Sequence, residues 1–201
     1  MISWKFWLKN PGKIIYRVKY GIYELFHKEE PWLTPSAVSF LKNNILIKQT
    51  GFEWGSGRST VWLAKRMKKL ISVEHDLKWY NNISKKIKEQ NVANIEYWHI
   101  PLDHAESEPT HPLYEKTPKY VLAIDKISEG SLDIVIVDGH YRQACILAAI
   151  PKIKNNGLLL IDDSNWLTWE GWGVPADWQI VSETGNGIKT TTIWQKITAR
   201  K

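Results

Sequence analysis

A chain of 201 residues, 43% hydrophobic with a mean hydropathy of −0.34, suits one well-packed domain and is short for two. Its single cysteine, Cys145, excludes an intrachain disulfide framework and makes the cytoplasm the expected compartment. A net charge of +6 suits an anionic partner without requiring one, and no apolar run reaches the roughly 20 residues of a membrane-spanning helix.

The first residues, MISWKFWLKNPGK, do not read as a secretory signal, because lysines interrupt any apolar core. Residues 1–23 hold Lys5, Lys9, Lys13, Arg17 and Lys19, no carboxylate, and Trp4, Phe6, Trp7, Tyr16, Tyr20 and Tyr23. Basic and aromatic residues mixed in this way suit a membrane surface or an RNA backbone. They also suit a helical extension that packs its aromatics on the domain. We expect the second arrangement, with residues 1–30 as the extension and 31–201 as the domain, since a dedicated basic patch is denser. Nucleic acid is not an expected partner, and peripheral membrane contact through the N-terminal segment is the alternative.

PWLTPSAVSFLKNN predicts a helix: Thr34 can cap it, Pro35 takes its first position, and Val38 and Leu41 face inward. ILIKQTGFE follows as a strand. RSTVWLAKRMKK predicts a helix with Val61, Ala64 and Met67 on one face and basic residues in its last turn, where they complement the helix dipole. LISVEHD and NIEYWHI are strands around an amphipathic helix over LKWYNNISKKIKEQN. A loop over residues 101–118 leads to a helix over KYVLAIDKISEG and a buried strand, LDIVIVDG. Next come a helix over YRQACILAAIPKIKNNG, which Pro151 should kink or end early, and a second buried strand, LLLIDDS. Trp166, Trp169, Trp172 and Trp178 crowd the loop that follows; the chain's 12 tryptophans are expected mainly in the core and in pocket walls. Two last strands are joined by Gly185-Asn186-Gly187, a hairpin signal.

Strands alternating with helices predict an α/β fold: a Rossmann-like, mostly parallel sheet with helices on both faces and a C-terminal antiparallel β-hairpin. Ligands of such sheets sit at the carboxyl ends of the strands. At the first end, in GFEWGSGRST, the turn from Gly55 through Ser56 and Gly57 to Ser59 exposes backbone N–H groups that suit a carboxylate or phosphate, and Glu53 beside it favours a cation. At the second end, Glu74 is placed to accept hydrogen bonds from a ribose diol and His75 to stack on a base. The bland alternative is a plain turn and an exposed strand cap.

EWGSGRS, SVEHD, IVIVDG, GLLLIDDS and the closing hairpin together resemble the class I S-adenosylmethionine (SAM)-dependent methyltransferases, from PWLTP to the end of the chain. That family's acid-x-Gly-x-Gly-x-Gly motif maps onto Glu53, Gly55 and Gly57, with Ser59 in place of the last glycine. The resemblance implies SAM as cofactor, the loop around its methionine part, Glu74 on the ribose hydroxyls, and a reversed last strand. An NAD-type dinucleotide-binding oxidoreductase is the rival, but its pattern puts Thr60 where close packing wants Gly or Ala. A different class of alternative is a non-catalytic SAM-fold binding protein at a membrane surface or RNA.

Asp138, Asp162 and Asp163 end neighbouring strands, so their carboxylates can converge on Mg²⁺. This resembles the metal-dependent catechol-type O-methyltransferases, with Asp163 in place of their Asn and Tyr141 in place of their catalytic lysine. Without a metal, Asp138 would bond the SAM amino group or a loop, and Asp162 and Asp163 would cap the next segment. His140, near Asp162, is the candidate general base, with helix capping as its alternative role. Cys145 lies on an apolar helix face and is expected in the core. The expected reaction is methyl transfer from SAM to an oxygen of an unidentified small-molecule acceptor.

Overall fold

The structure, a computed structural model, describes residues 11–103 and 116–197. Its strands are β1 (Thr50–Trp54), β2 (Lys69–Glu74), β3 (Ile95–His99), β4 (Leu132–Val137), β5 (Ile153–Ile161), β6 (Gln179–Gly185) and β7 (Thr190–Gln195). Its α-helices are α1 (Pro11–Phe26), α2 (Pro35–Asn44), α3 (Arg58–Ala64), α4 (Leu77–Glu89), α5 (Lys119–Leu122), α6 (Arg142–Ala149) and α7 (Trp169–Trp172). One sheet holds all seven strands in the order β3-β2-β1-β4-β5-β7-β6. β1 to β5 pair in parallel, and β7 runs antiparallel between β5 and β6. This is the expected architecture.

Both faces of the sheet are covered, as its apolar strands require. Phe52, Trp54, Val135, Val137, Leu159 and Ile161 pack on one side with Cys145, Ile146, Trp172 and Trp178. Ile134, Ile136, Leu158 and Leu160 pack on the other with Val38, Leu41, Trp62 and Leu63. The alternation along β4 and β5 follows the strand period of two. Cys145 is buried in this core, as expected of it.

Several boundaries move from their predicted places. β1 starts at Thr50, not Ile45, because a turn intervenes. The Gln49 side chain accepts from the Leu46 N–H at 2.7 Å while its own N–H donates to the Leu46 carbonyl at 2.9 Å. Leu46 and Ile47 are therefore exposed. Pro151 ends α6: Ile150–Lys152 form a 3₁₀ turn, and β5 begins at Ile153, earlier than predicted. The helix predicted over 119–130 is one α-turn, α5, continued by a 3₁₀ turn over Ala123–Lys126. The hairpin forms as predicted: the Asn186 side chain accepts from the Ile188 and Lys189 N–H groups, and Gly187 takes φ +83°. Most of the predicted 101–118 loop, and Trp4, Lys5, Phe6, Trp7 and Lys9, lie outside the described residues.

Candidate active site

Trp54, Val73, Val137 and Ile161 are level with one another in the sheet register. The residues that follow them, Gly55, Glu74, Asp138 and Asp162, therefore emerge together at one edge. A cavity of about 510 Å³ opens there. Of the predicted site residues, Gly55, Ser56, Glu74, His75, Asp138 and His140 line it, joined by Asp76, Trp79, Gly139 and Arg142. Gly57 instead lines a neighbouring cavity of about 430 Å³ with Arg58 and Lys65. Ser59 is buried beside it.

The glycine turn is held differently from the way the sequence suggests. Gly55 has φ +86°, and an added Cβ would lie 2.6 Å from Asp138 C and Gly139 N. Close packing on the β4–α6 connection, rather than approach of a ligand, demands that glycine. Gly57 has extended backbone, and the nearest atom to an added Cβ is Ser59 Oγ at 3.8 Å. The N–H groups of Gly55, Ser56 and Gly57 donate to Val73 O (3.0 Å), Glu74 Oε2 (3.1 Å) and Thr60 Oγ1 (2.9 Å). All three hold the turn itself together, so the predicted cradle of amides aimed at an anion is not what this geometry offers.

Glu53 does not face the cleft. It is fully buried beneath the turn, where Oε2 accepts from Thr60 Oγ1 and Ser72 Oγ, each at 2.6 Å. Burial raises its carboxyl pKa against the opposing hydroxyls of Ser59, Ser72 and Thr60. A raised carboxyl favours the protonated form in the fold. Its contribution to stability is thus complete below the ordinary Glu pKa of about 4.3 and declines as pH rises through the folded value. Glu53→Gln keeps the shape without the charge, so its stability relative to wild type should improve as pH rises from the ordinary Glu pKa to the raised folded value and level off above it. Thermal melts of both proteins across that range check the trend.

Glu74 is the opposite case. Oε2 also accepts from Ser56 Oγ (2.8 Å), and Oε1 accepts from the N–H groups of His75 (2.8 Å) and Asp76 (2.9 Å). His75 Nδ1 lies 3.1 Å from Oε1. Burial alone would raise this carboxyl, but the bonds from His75, Asp76 and Ser56 outweigh it and hold its pKa below the usual value. The site thus carries a buried, ionised carboxylate at the end of β2. Around it Trp79 Nε1 donates to Ser56 O (2.6 Å), Ser56 Oγ pairs with Tyr97 Oη (2.6 Å), and Trp79 stacks on Trp32 with ring centres 6.2 Å apart. The His75 and His140 rings lie 5.0 Å apart and both line the cavity.

Asp138, Asp162 and Asp163 converge, with one oxygen of each within 4.8 Å of the others. Two cations that the sequence reasoning missed stand among them. Arg142, itself buried, reaches Asp138 Oδ1 and Asp163 Oδ2, both at 3.3 Å. Its guanidinium also donates to the carbonyls of Asp162 (2.6 Å) and Gly139 (3.1 Å). Lys189, from the β6–β7 turn, bonds Asp162 Oδ2, while Thr191 Oγ1 donates to Oδ1 at 2.7 Å. Asp162 is 1% exposed, has both oxygens engaged by Lys189 and Thr191, and does not line the cavity. Burial and the Asp162 charge push Asp138 well above the carboxylate range, against Arg142 and Lys189. Burial also raises Asp162, opposed by Lys189. Mg²⁺ on the three carboxylates would have to displace Arg142 from Asp138 and Asp163 and Lys189 from Asp162, a poor fit for a resident metal. Tyr141, at the position of the catechol-type lysine, is buried in the core, with its ring 6.2 Å from that of Tyr120. Arg142 was legible only as the residue one helical turn after Asp138. Lys189 carried no local signal, because the hairpin brings it in from the far end of the chain.

No family model matches the chain. Over 92 residues it is 23% identical to Paraclostridial mosquitocidal protein 1 of Paraclostridium bifermentans, a match that spans 46% of this chain and only 7% of that protein's length. An rRNA methylase from Streptococcus thermophilus superposes with a TM-score of 0.59 at 13% identity, over 80% of this chain and 93% of that one. A methyltransferase-like protein from Silicibacter pomeroyi gives 0.57 at 22% identity, over 86% and 91%. The fold is that of the class I methyltransferases. A Streptococcus mutans protein solved in complex with SAH shares it, at a TM-score of 0.55 and 13% identity over 81% of this chain and 98% of that one. The reversed β7 between β5 and β6 separates this methyltransferase fold from the dinucleotide-binding fold, whose six strands follow the order 3-2-1-4-5-6. Among the described residues no helix is long and apolar enough to cross a membrane.

Proposed function

We propose that the protein is a SAM-dependent methyltransferase acting on an oxygen of a small-molecule acceptor. The observation that carries this reading is the ionised, buried Glu74 carboxylate at the end of β2, facing one cleft with the His75–His140 pair and Asp138. Bound SAM supplies a methyl group already activated by its sulfonium, so the protein's task is chiefly to position the two reactants. Glu74 accepts the ribose hydroxyls once Ser56 Oγ swings off Oε2. His75 offers a ring face to the adenine, and Trp79 closes the side near Ser56. Asp138, whose side chain is 31% exposed, accepts from the amino group of the methionine part. A cation there offsets the Asp162 charge and favours ionised Asp138.

His140 removes the acceptor's proton. A general base contributes roughly 10²–10⁴-fold. Arg142 and Lys189 keep the neighbouring carboxylates compensated, which supports a route without a metal. Calorimetry should show binding of SAM and none of NADH; the reverse would hand the site to the oxidoreductase reading. Phenols, sugars and carboxylates are then screened for methyl transfer. Activity should be indifferent to EDTA and fall at least about tenfold in His140→Ala. Loss of activity in EDTA, restored by Mg²⁺ and absent in Asp138→Asn, would replace the base with a metal-bound acceptor.

A further inference from the structure

The two sides of α1 meet different surroundings. Its tyrosines face the domain: Tyr16 covers Gly187, where an added Cβ would lie 2.4 Å from the ring, Tyr20 donates to Leu33 O at 3.0 Å, and Tyr23 donates to Glu30. The other side faces solvent. Ile14, Ile15, Val18, Ile22, Leu25 and Phe26 are 46%, 56%, 54%, 51%, 65% and 81% exposed. At about 100° per residue these six fall on an arc of roughly 120°, opposite the tyrosines. Lys19 borders one edge of the arc and Arg17 lies beyond the other, while Lys13 falls on the tyrosine side.

A stripe of large exposed aliphatics of this kind marks a contact surface. The charge around it selects the occupant. Residues 1–23 contain no carboxylate; the one carboxylate of α1, Glu24, pairs with Arg17 at 3.2 Å, so Lys13 and Lys19 give the helix its net positive charge. A cationic border around an aliphatic stripe complements an anionic lipid surface, where Leu, Ile and Phe enter the acyl boundary and lysines stay among the headgroups. We infer that α1 docks the protein on anionic membrane surfaces, lying in the interface with this face down. The docked helix packs on the β6–β7 turn, from which Lys189 bonds Asp162. The docking itself requires neither SAM nor turnover, so it stands or falls apart from the methyltransferase reading.

The test is sedimentation of the full chain with vesicles of phosphatidylcholine alone and of phosphatidylcholine mixed with phosphatidylglycerol. Binding should appear on the anionic vesicles and drop at least about tenfold in high salt. Ile22→Glu with Leu25→Glu should lower it at least about tenfold while leaving the melting temperature in place, since both side chains are exposed. Failure to bind anionic vesicles, or binding that the double variant leaves unchanged, overturns the inference. So does a dimer in sedimentation velocity that the double variant dissociates and that ignores vesicles, which would give the face to a second copy of the chain.

Discussion

Glu74→Gln is expected to weaken SAM binding by about 1.5–3 kcal/mol, one to two orders of magnitude in affinity, with the cavity unchanged in shape. The carboxylate oxygens accept from three backbone N–H groups and the Ser56 hydroxyl. Only the hydroxyl can leave, by rotation about its own side chain, so that is where a ribose hydroxyl would enter. An amide has one acceptor oxygen in place of two, and its NH₂ would be aimed at N–H donors on whichever side it lay. The variant will therefore also melt lower. Because Glu74 is held below its usual pKa, that loss should be largest above the ordinary carboxyl pKa of about 4.3 and shrink as pH falls through the folded value. Calorimetry at a temperature where both proteins are folded separates affinity from stability. Equal dissociation constants would remove Glu74 from the ribose.

Gly55→Val should cost about 2–6 kcal/mol of stability, a large share of the 5–15 kcal/mol typical of a domain. Two effects add. A β-branched residue at φ +86° is strained, by roughly 1–3 kcal/mol. Its Cβ would also overlap backbone atoms of Asp138 and Gly139 at 2.6 Å, which adds an overpacking cost of about 1–3 kcal/mol. Flexible side chains could yield to such a contact, but the backbone of the β4–α6 connection yields far less. Gly57→Val is the control: its backbone is extended and no atom other than Ser59 Oγ, at 3.8 Å, lies within 4 Å of the added Cβ. It should stay within about 1 kcal/mol of wild type. Urea unfolding of the two variants compares them directly, and a Gly55→Val protein as stable as Gly57→Val would refute the packing account. In the sequence the two glycines look like one motif. In the fold one is wedged against the β4–α6 connection and the other is not.

The alternation of strands and helices, the hairpin at Gly185-Asn186-Gly187 and the polar residues at the strand ends were all legible in the sequence. Each rests on local physics: hydrophobic period, turn chemistry, and the rule that chain leaving a parallel strand must carry the site. Glu74 and the Asp138–Asp162–Asp163 convergence followed from that rule alone. Tertiary structure decided the rest. Glu53 and Trp54 are adjacent in sequence, but strand parity puts them on opposite faces, and Thr60 and Ser72 then fold over the carboxylate. Pairing of distant segments brings Lys189 and Thr191 to Asp162, and no window of sequence around either end contains that contact. A helical extension was expected at the N-terminus, but which of its arcs the domain would cover depended on where Gly187 and Leu33 came to lie in space. Local sequence sets which elements form; the rotation of a helix, the level of a strand and the partner of a buried charge are set by surfaces that exist only once the chain has closed on itself.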